Sequence, residues 1–143
     1  MPRARRALSV AEKPSVAKEL AAILSSGSAQ PRNGLSPYNK VFEFGCTLDN
    51  GPCDMVITSV LGHLMEMDFE DPYRKWHGCQ PGDLLLRSTP VRMAVRSSEG
   101  SGTDGDAVRR NLEAACRGCS DLILWLDCDR EGEAIGFEVM GAC

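Results

Sequence analysis

The apolar positions of this chain change period several times along its length, and each change marks an element. Residues 7–11 run Ala-Leu-Ser-Val-Ala, a short stretch that predicts a strand. Glu12-Lys13-Pro14-Ser15 then turns the chain into a helix reaching about residue 24. Proline suits its first turn, where a missing N–H is no loss. Val16, Leu20, Ile23 and Leu24 recur at helical spacing and predict one buried face. Residues 25–36 contain Gly27, Pro31, Asn33 and Gly34 and read as a loop. Residues 38–48 alternate, with Val41, Phe42 and Phe44 among polar neighbours, as a half-buried strand does. Asp49-Asn50-Gly51 is a hairpin signal, and residues 54–61 form the returning strand, closed by Gly62-His63-Leu64.

The second half is more broken. Residues 68–82 are irregular, with Pro72, Trp76 and Pro81, while 84–86 and 91–95 are short extended pieces. Residues 97–105, rich in serine and glycine, read as a mobile loop. Residues 106–117 predict a helix with Val108, Leu112 and Ala115 on one side. Residues 121–126 then run almost wholly apolar, the pattern of a strand buried on both faces. A last helix starts near Gly132, and there is no internal repeat. Helix-and-strand units at both ends predict an α/β fold, a sheet with parallel strands flanked by helices. Ligands of such sheets lie beyond the carboxyl ends of the strands. Glu12 follows the first strand and Asp127 the last, so if these strands are neighbours the two acids share one edge.

Composition narrows the class. With 143 residues, 43% hydrophobic and 25% charged, the chain fits one globular domain. No apolar run approaches a membrane span, so no membrane partner is expected. The basic start, Met-Pro-Arg-Ala-Arg-Arg, reads as a solvated tail over residues 1–6. A net charge of -4 excludes nucleic-acid binding by charge alone; a metal or another domain would have to supply the cations. An odd count of seven cysteines without a secretion signal indicates reduced thiols. Cys116-Arg-Gly-Cys119 has redox or zinc spacing but no second pair, and reads as a chance pair at a helix end.

The densest chemistry is Asp127-Cys128-Asp129-Arg130-Glu131-Gly132-Glu133, with acids at alternate positions directly after an apolar strand. Crowded carboxylates repel one another. A divalent cation relieves that repulsion, and Mg²⁺ takes hard oxygen ligands. The same run also fits a solvated loop that caps the next helix, whose dipole favours acids. Cys128 reads as a spacer facing the protein, and Trp76 as a core residue.

Asp-x-Asp-x-Glu after a buried strand, together with Glu12-Lys13 after an earlier one, resembles the Toprim domain. Longer matches narrow the resemblance to type IA DNA topoisomerases of the topoisomerase III group, and within it the alpha branch. They are Val10-Ala11-Glu12-Lys13-Pro14-Ser15-Val16-Ala17, Gly34-Leu35-Ser36 with Asn39-Lys40, Thr58-Ser59-Val60 with Gly62-His63-Leu64, Arg74-Lys75-Trp76, and Leu124 through Glu133. The resemblance implies a Toprim, Rossmann-like sheet over residues 7–143, with an inserted hairpin and loop region at about 36–105. It implies Mg²⁺ as cofactor, held by Asp127 and Asp129 with Glu131 as third acid. Glu12 matches the acid at the scissile phosphate, and Lys13 the adjacent phosphate-binding lysine. His63 and Arg130 match positions approaching the DNA, while Glu133 is expected to stabilise its own helix.

The implied enzyme relaxes or decatenates DNA without ATP, through transient single-strand cleavage and a 5′-phosphotyrosyl link. Its substrates are single-stranded or negatively supercoiled DNA, its partners a RecQ-type helicase and OB-fold accessory proteins. Its location is the nucleus, with the mitochondrion as alternative. The tyrosines here, Tyr38 and Tyr73, lack the family's context, so the chain carries no nucleophile. A further strand normally follows the last helix. The expectation is therefore a Toprim domain incomplete at its C-terminus, part of a longer enzyme and inactive alone. Rival readings are another Toprim metal-dependent nuclease or primase, a phosphotransferase using Asp127, and a non-catalytic truncated binding module.

Overall fold

The computed structural model describes residues 5–49, 51–96 and 104–143. Strand β1 (Arg5–Ala11) is followed by helix α1 (Pro14–Leu24), β2 (Gln30–Arg32), β3 (Val41–Leu48), β4 (Gly51–Ser59), β5 (Met65–Phe69) and β6 (Val91–Val95). Helix α2 (Gly105–Ala115), β7 (Asp121–Trp125) and α3 (Arg130–Ala142) complete the order. Five strands form one sheet in the order β2-β3-β4-β1-β7. β4, β1 and β7 are mutually parallel, and β3 runs antiparallel to both of its neighbours, β4 and β2. This is the expected α/β sheet flanked by helices.

β1 lies in the interior of the sheet because its side chains suit two different faces. Ala7 and Ala11 face α1, where Ala17 and Ala21 pack with Phe42, Met55 and Ile57. Leu8 and Val10 face α2 and α3, joining Val56, Leu112, Ile135 and Val139. Burial of each large aliphatic side chain there is worth about 1.5–3 kcal/mol. α2 buries Val108, Leu112 and Ala115 as its periodicity predicts. Its N-cap is Asp104, whose carboxylate accepts from the N–H groups of Asp106 and Ala107.

Several expectations are corrected. α1 does not bury the face predicted from its large residues: Val16, Ile23 and Leu24 are exposed, and Ala17 and Ala21 carry the contact with Leu20 half-buried. Alanines let the helix lie close to a strand that itself presents alanines. β7 is an edge strand and only half-buried, because among the described residues nothing pairs with its outer side. Trp76, expected in the core, is 84% exposed. β1 begins at Arg5, so Arg5 and Arg6 belong to the sheet rather than to a solvated tail. Residues 30–32 of the expected loop form β2, and residues 81–85 form a 3₁₀ turn where an extended piece is predicted at 84–86.

β5 and β6 pair with each other as a separate two-stranded antiparallel sheet inside the expected insertion. Most of the serine-rich stretch at 97–105 lies outside the described residues. None of the seven cysteines is paired, and Cys116 caps the C-terminal end of α2. No helix among the described residues is long and apolar enough to cross a membrane.

Candidate metal and phosphate site

Three parallel strands deliver the site. In register, Ala11 stands opposite both Ser59 of β4 and Trp125 of β7, so β1, β4 and β7 finish at the same edge. The Glu12 N–H donates to the Trp125 carbonyl at 3.1 Å, and the Val60 N–H to the Ala11 carbonyl at 2.9 Å, carrying both ladders one step past the strands. Glu12 therefore leaves the sheet beside Asp127, whose N–H donates to Glu12 Oε2 at 3.0 Å. The Glu12 side chain is only 13% exposed. Lys13, in extended conformation at the N-cap of α1, holds Nζ 3.8 Å from Glu12 Oε1 and 3.6 Å from Asp127 Oδ2. One cation thus stands against both carboxylates.

The acidic loop is tightly wound. Asp129 is the N-cap of α3, its Oδ1 accepting from the Gly132 N–H at 2.8 Å, and its own N–H donates to the Asp127 carbonyl at 2.9 Å. The helix-capping reading of this run therefore holds for Asp129. Gly132 is required by proximity, since a Cβ there would collide with the Asp127 carbonyl. Glu131 and Glu133 occupy the first turn, where the helix dipole favours acids. The Asp127 side chain is 64% exposed. Cys128 is also exposed, not turned to the protein as expected. Arg130 is exposed and enters no salt bridge among the described residues. Leu124, Leu126, Asp127, Arg130 and Glu133 line an open groove beside the loop.

His63 leaves β4 at the same edge and meets α3. Its Nδ1 lies 2.9 Å from Glu138 Oε1, and its Nε2 3.7 Å from Glu131 Oε1. Glu138, 12% exposed at its side chain, also accepts from the Leu64 and Met65 N–H groups at 2.7 and 3.3 Å. Sequence reasoning missed Glu138. Its signal was an acid among the core positions of α3, next to Val139 and three residues after Ile135.

Behind the edge, buried amides fix the end of β4. Asn39 donates to the Ser59 carbonyl and hydroxyl at 2.7 and 2.9 Å, and accepts from the Ser36 hydroxyl at 2.6 Å. Asn111 of α2 accepts from the Leu35 N–H at 3.0 Å and donates to the Thr58 hydroxyl at 3.1 Å. At the opposite end of β1 and β7, Arg5 donates to both Asp121 oxygens at 2.8 and 2.6 Å. That guanidinium, helped by the Ser120 hydroxyl, holds the Asp121 carboxyl well below the usual carboxylate range.

Among the described residues no three His, Cys, Asp or Glu side chains form a ready-made metal cage. The donor chemistry still suits Mg²⁺, which binds through one or two carboxylates and keeps several waters. The Asp127 carboxylate is open to solvent, Asp129 commits one oxygen to its cap, and Lys13 already places a cation beside Asp127.

Residues 7–143 match the Toprim domain family. The chain belongs to that family. The Toprim domain is similar to DNA topoisomerase 3-alpha of Arabidopsis thaliana, 51% identical over 136 residues, which cover 95% of this chain and 14% of that protein. It is 44% identical over 140 residues to DNA topoisomerase 3-alpha of Drosophila melanogaster, covering 98% of this chain and 11% of the relative. Against DNA topoisomerase 3-alpha of Homo sapiens it is 41% identical over 139 residues, covering 97% and 13%. The resemblance to topoisomerase III read from the motifs is borne out, and the chain spans 11–14% of the length of these relatives.

Proposed function

We propose that this Toprim domain is the metal-binding and phosphate-handling part of a type IA DNA topoisomerase III, acting on single-stranded or negatively supercoiled DNA. The observation that supports the reading best is the convergence of Glu12, Lys13 and Asp127 at the shared carboxyl edge of β1 and β7. In transient strand cleavage a tyrosine attacks the phosphodiester, negative charge develops on the phosphate oxygens, and the departing 3′-oxygen needs a proton. Glu12 is the acid that delivers it, a role worth about 10²–10⁴-fold. Lys13, 60% exposed at its side chain, binds a phosphate oxygen as a compact point charge. Arg130 faces the DNA backbone from the open groove, and His63 meets the nucleic acid at the end of β4. Asp127, Asp129 and Glu131 would hold Mg²⁺, which supplies positive charge to the phosphate. The attacking tyrosine comes from outside this chain, and by the same reading so do a RecQ-type helicase and OB-fold proteins as nuclear partners.

The test is a covalent protein–DNA adduct on single-stranded oligonucleotides. This chain alone is expected to form none, and a chain extended by a tyrosine-bearing region of a relative is expected to form one that Glu12→Gln suppresses. Mg²⁺-dependent release of free DNA ends by this chain, with no adduct in either protein, would assign it instead to a Toprim nuclease.

A further inference from the structure

Glu138 is the feature of the site that neither its motifs nor its proposed chemistry uses. It lies on α3, seven residues after Glu131 and so near the same helix face. Its side chain is nearly buried, yet both oxygens are engaged on different partners. Oε1 lies 2.9 Å from His63 Nδ1. Oε2 accepts from the Leu64 N–H at 2.7 Å and the Met65 N–H at 3.3 Å. Leu64 is 3% exposed, so its N–H has little access to water as an alternative partner.

We infer that Glu138 is a positioning residue that fixes the ring of His63 and dictates which ring nitrogen faces the site. The argument is one of donors and acceptors. A carboxylate accepts at both ends, so His63 Nδ1 must carry its proton toward Oε1. Nε2 then faces outward, 3.7 Å from Glu131 Oε1 and beyond hydrogen-bond range of it, and in the neutral ring it is a lone-pair acceptor. Held this way, Nε2 is the nitrogen offered to the nucleic acid, and in the neutral ring it is matched to a donor such as a base N–H rather than to a phosphate oxygen. That consequence rests on the proposed DNA role of this edge. The ring's orientation does not.

Glu138→Gln separates positioning from simple bracing of the backbone. The amide has the same shape but only one accepting end. The buried Leu64 N–H claims the oxygen, and the amide nitrogen is left to donate to His63 Nδ1. The ring must then move its proton to Nε2.

The measurement is long-range ¹H–¹⁵N correlation from the ring carbons of this chain, reduced, at alkaline pH, without DNA or metal. His63→Asn assigns the signals, and exposed His77 serves as the internal reference. Wild type is expected to show the Nδ1–H tautomer at His63, and Glu138→Gln the Nε2–H tautomer, with His77 unchanged. An unchanged tautomer in folded Glu138→Gln would overturn the inference. Should that variant not fold, wild type still decides, because a predominant Nε2–H tautomer at His63 overturns it equally. With neither DNA nor metal present, the result is independent of the cleavage chemistry, which stands or falls on the covalent adduct.

Discussion

Glu12 and Asp127 are 115 positions apart in the chain and one hydrogen bond apart in space, the Asp127 N–H donating to Glu12 Oε2 at 3.0 Å. The contact exists because β1 and β7 are parallel neighbours, so Glu12, the first residue beyond β1, and Asp127, the second beyond β7, are carried to one edge. It makes a clear separation of fold from function testable. Glu12→Gln preserves the acceptor and the shape while removing the carboxyl proposed to deliver the proton. Thermal unfolding should change little, by roughly 1 kcal/mol or less, as the lost ion pair to Lys13 is long and its Lys13 end is exposed. Adduct formation in a chain carrying the tyrosine should fall by about 10²–10⁴-fold. Equal losses in stability and cleavage would mean that Glu12 acts through the fold alone.

Lys13 and a metal ion held as proposed would compete for the same carboxylate. Lys13 Nζ is 3.6 Å from Asp127 Oδ2 in a solvent-exposed setting, where a unit charge at about 4 Å is worth roughly 1 kcal/mol. Lys13→Gln should therefore tighten Mg²⁺ binding by about five-fold. Asp127→Ala with Asp129→Ala should weaken it. Titration calorimetry reads both, and unchanged affinity in the double variant would remove the metal assignment.

Much of the site was legible because it is local. Strand, turn and acid follow one another at Ala11-Glu12 and at Leu126-Asp127, and strand polarity does the rest. What stayed hidden depends on pairing partners. The apolar run ending at Leu126 looks the same in a central strand as in an edge strand, and the structure makes it an edge. The large residues of α1 gave a false face because alanines set its contact with the sheet. Glu138 could not be assigned without knowing that the turn after β4 comes to rest against α3.

The glycine of the acidic run is structural. Its Cα packs against the Asp127 carbonyl, so Gly132→Ala must push the first turn of α3 off the loop. The expected cost is about 1–3 kcal/mol, in the range of other overpacked sites. Urea denaturation measures it, and Gly141→Ala, where a Cβ meets nothing within 4 Å, is the control.

The Arg5–Asp121 clamp gives a pH dependence with a definite sign. The folded-state pKa of Asp121 is depressed below its ordinary value of 3.8. Its contribution is therefore present above that value and is lost as pH falls through the folded pKa. Arg5→Gln should be less stable than wild type at neutral pH, and the two denaturation curves should converge as pH drops below about 4. A gap that stays constant down to strongly acidic pH would show that the guanidinium acts by packing rather than by charge.

Two of the sequence stretches that suggested the family, around Gly34–Lys40 and Thr58–Leu64, are explained together by one buried network. Asn39 is fully buried and satisfies the carbonyl and hydroxyl of Ser59, the last residue of β4 before the turn that carries His63. Asn39→Ala removes the donor to both and strands the Ser36 hydroxyl, each group left unsatisfied costing about 1–3 kcal/mol. The loss should be localised. Amide exchange should accelerate first at Val60 and Leu64, which close the ladder to Ala11 and the contact to Glu138, while the Leu112 and Ile135 core keeps its protection. Uniform acceleration across the sheet would instead make Asn39 a general stabiliser, with no special hold on the edge from which Glu12, His63 and Asp127 leave the sheet.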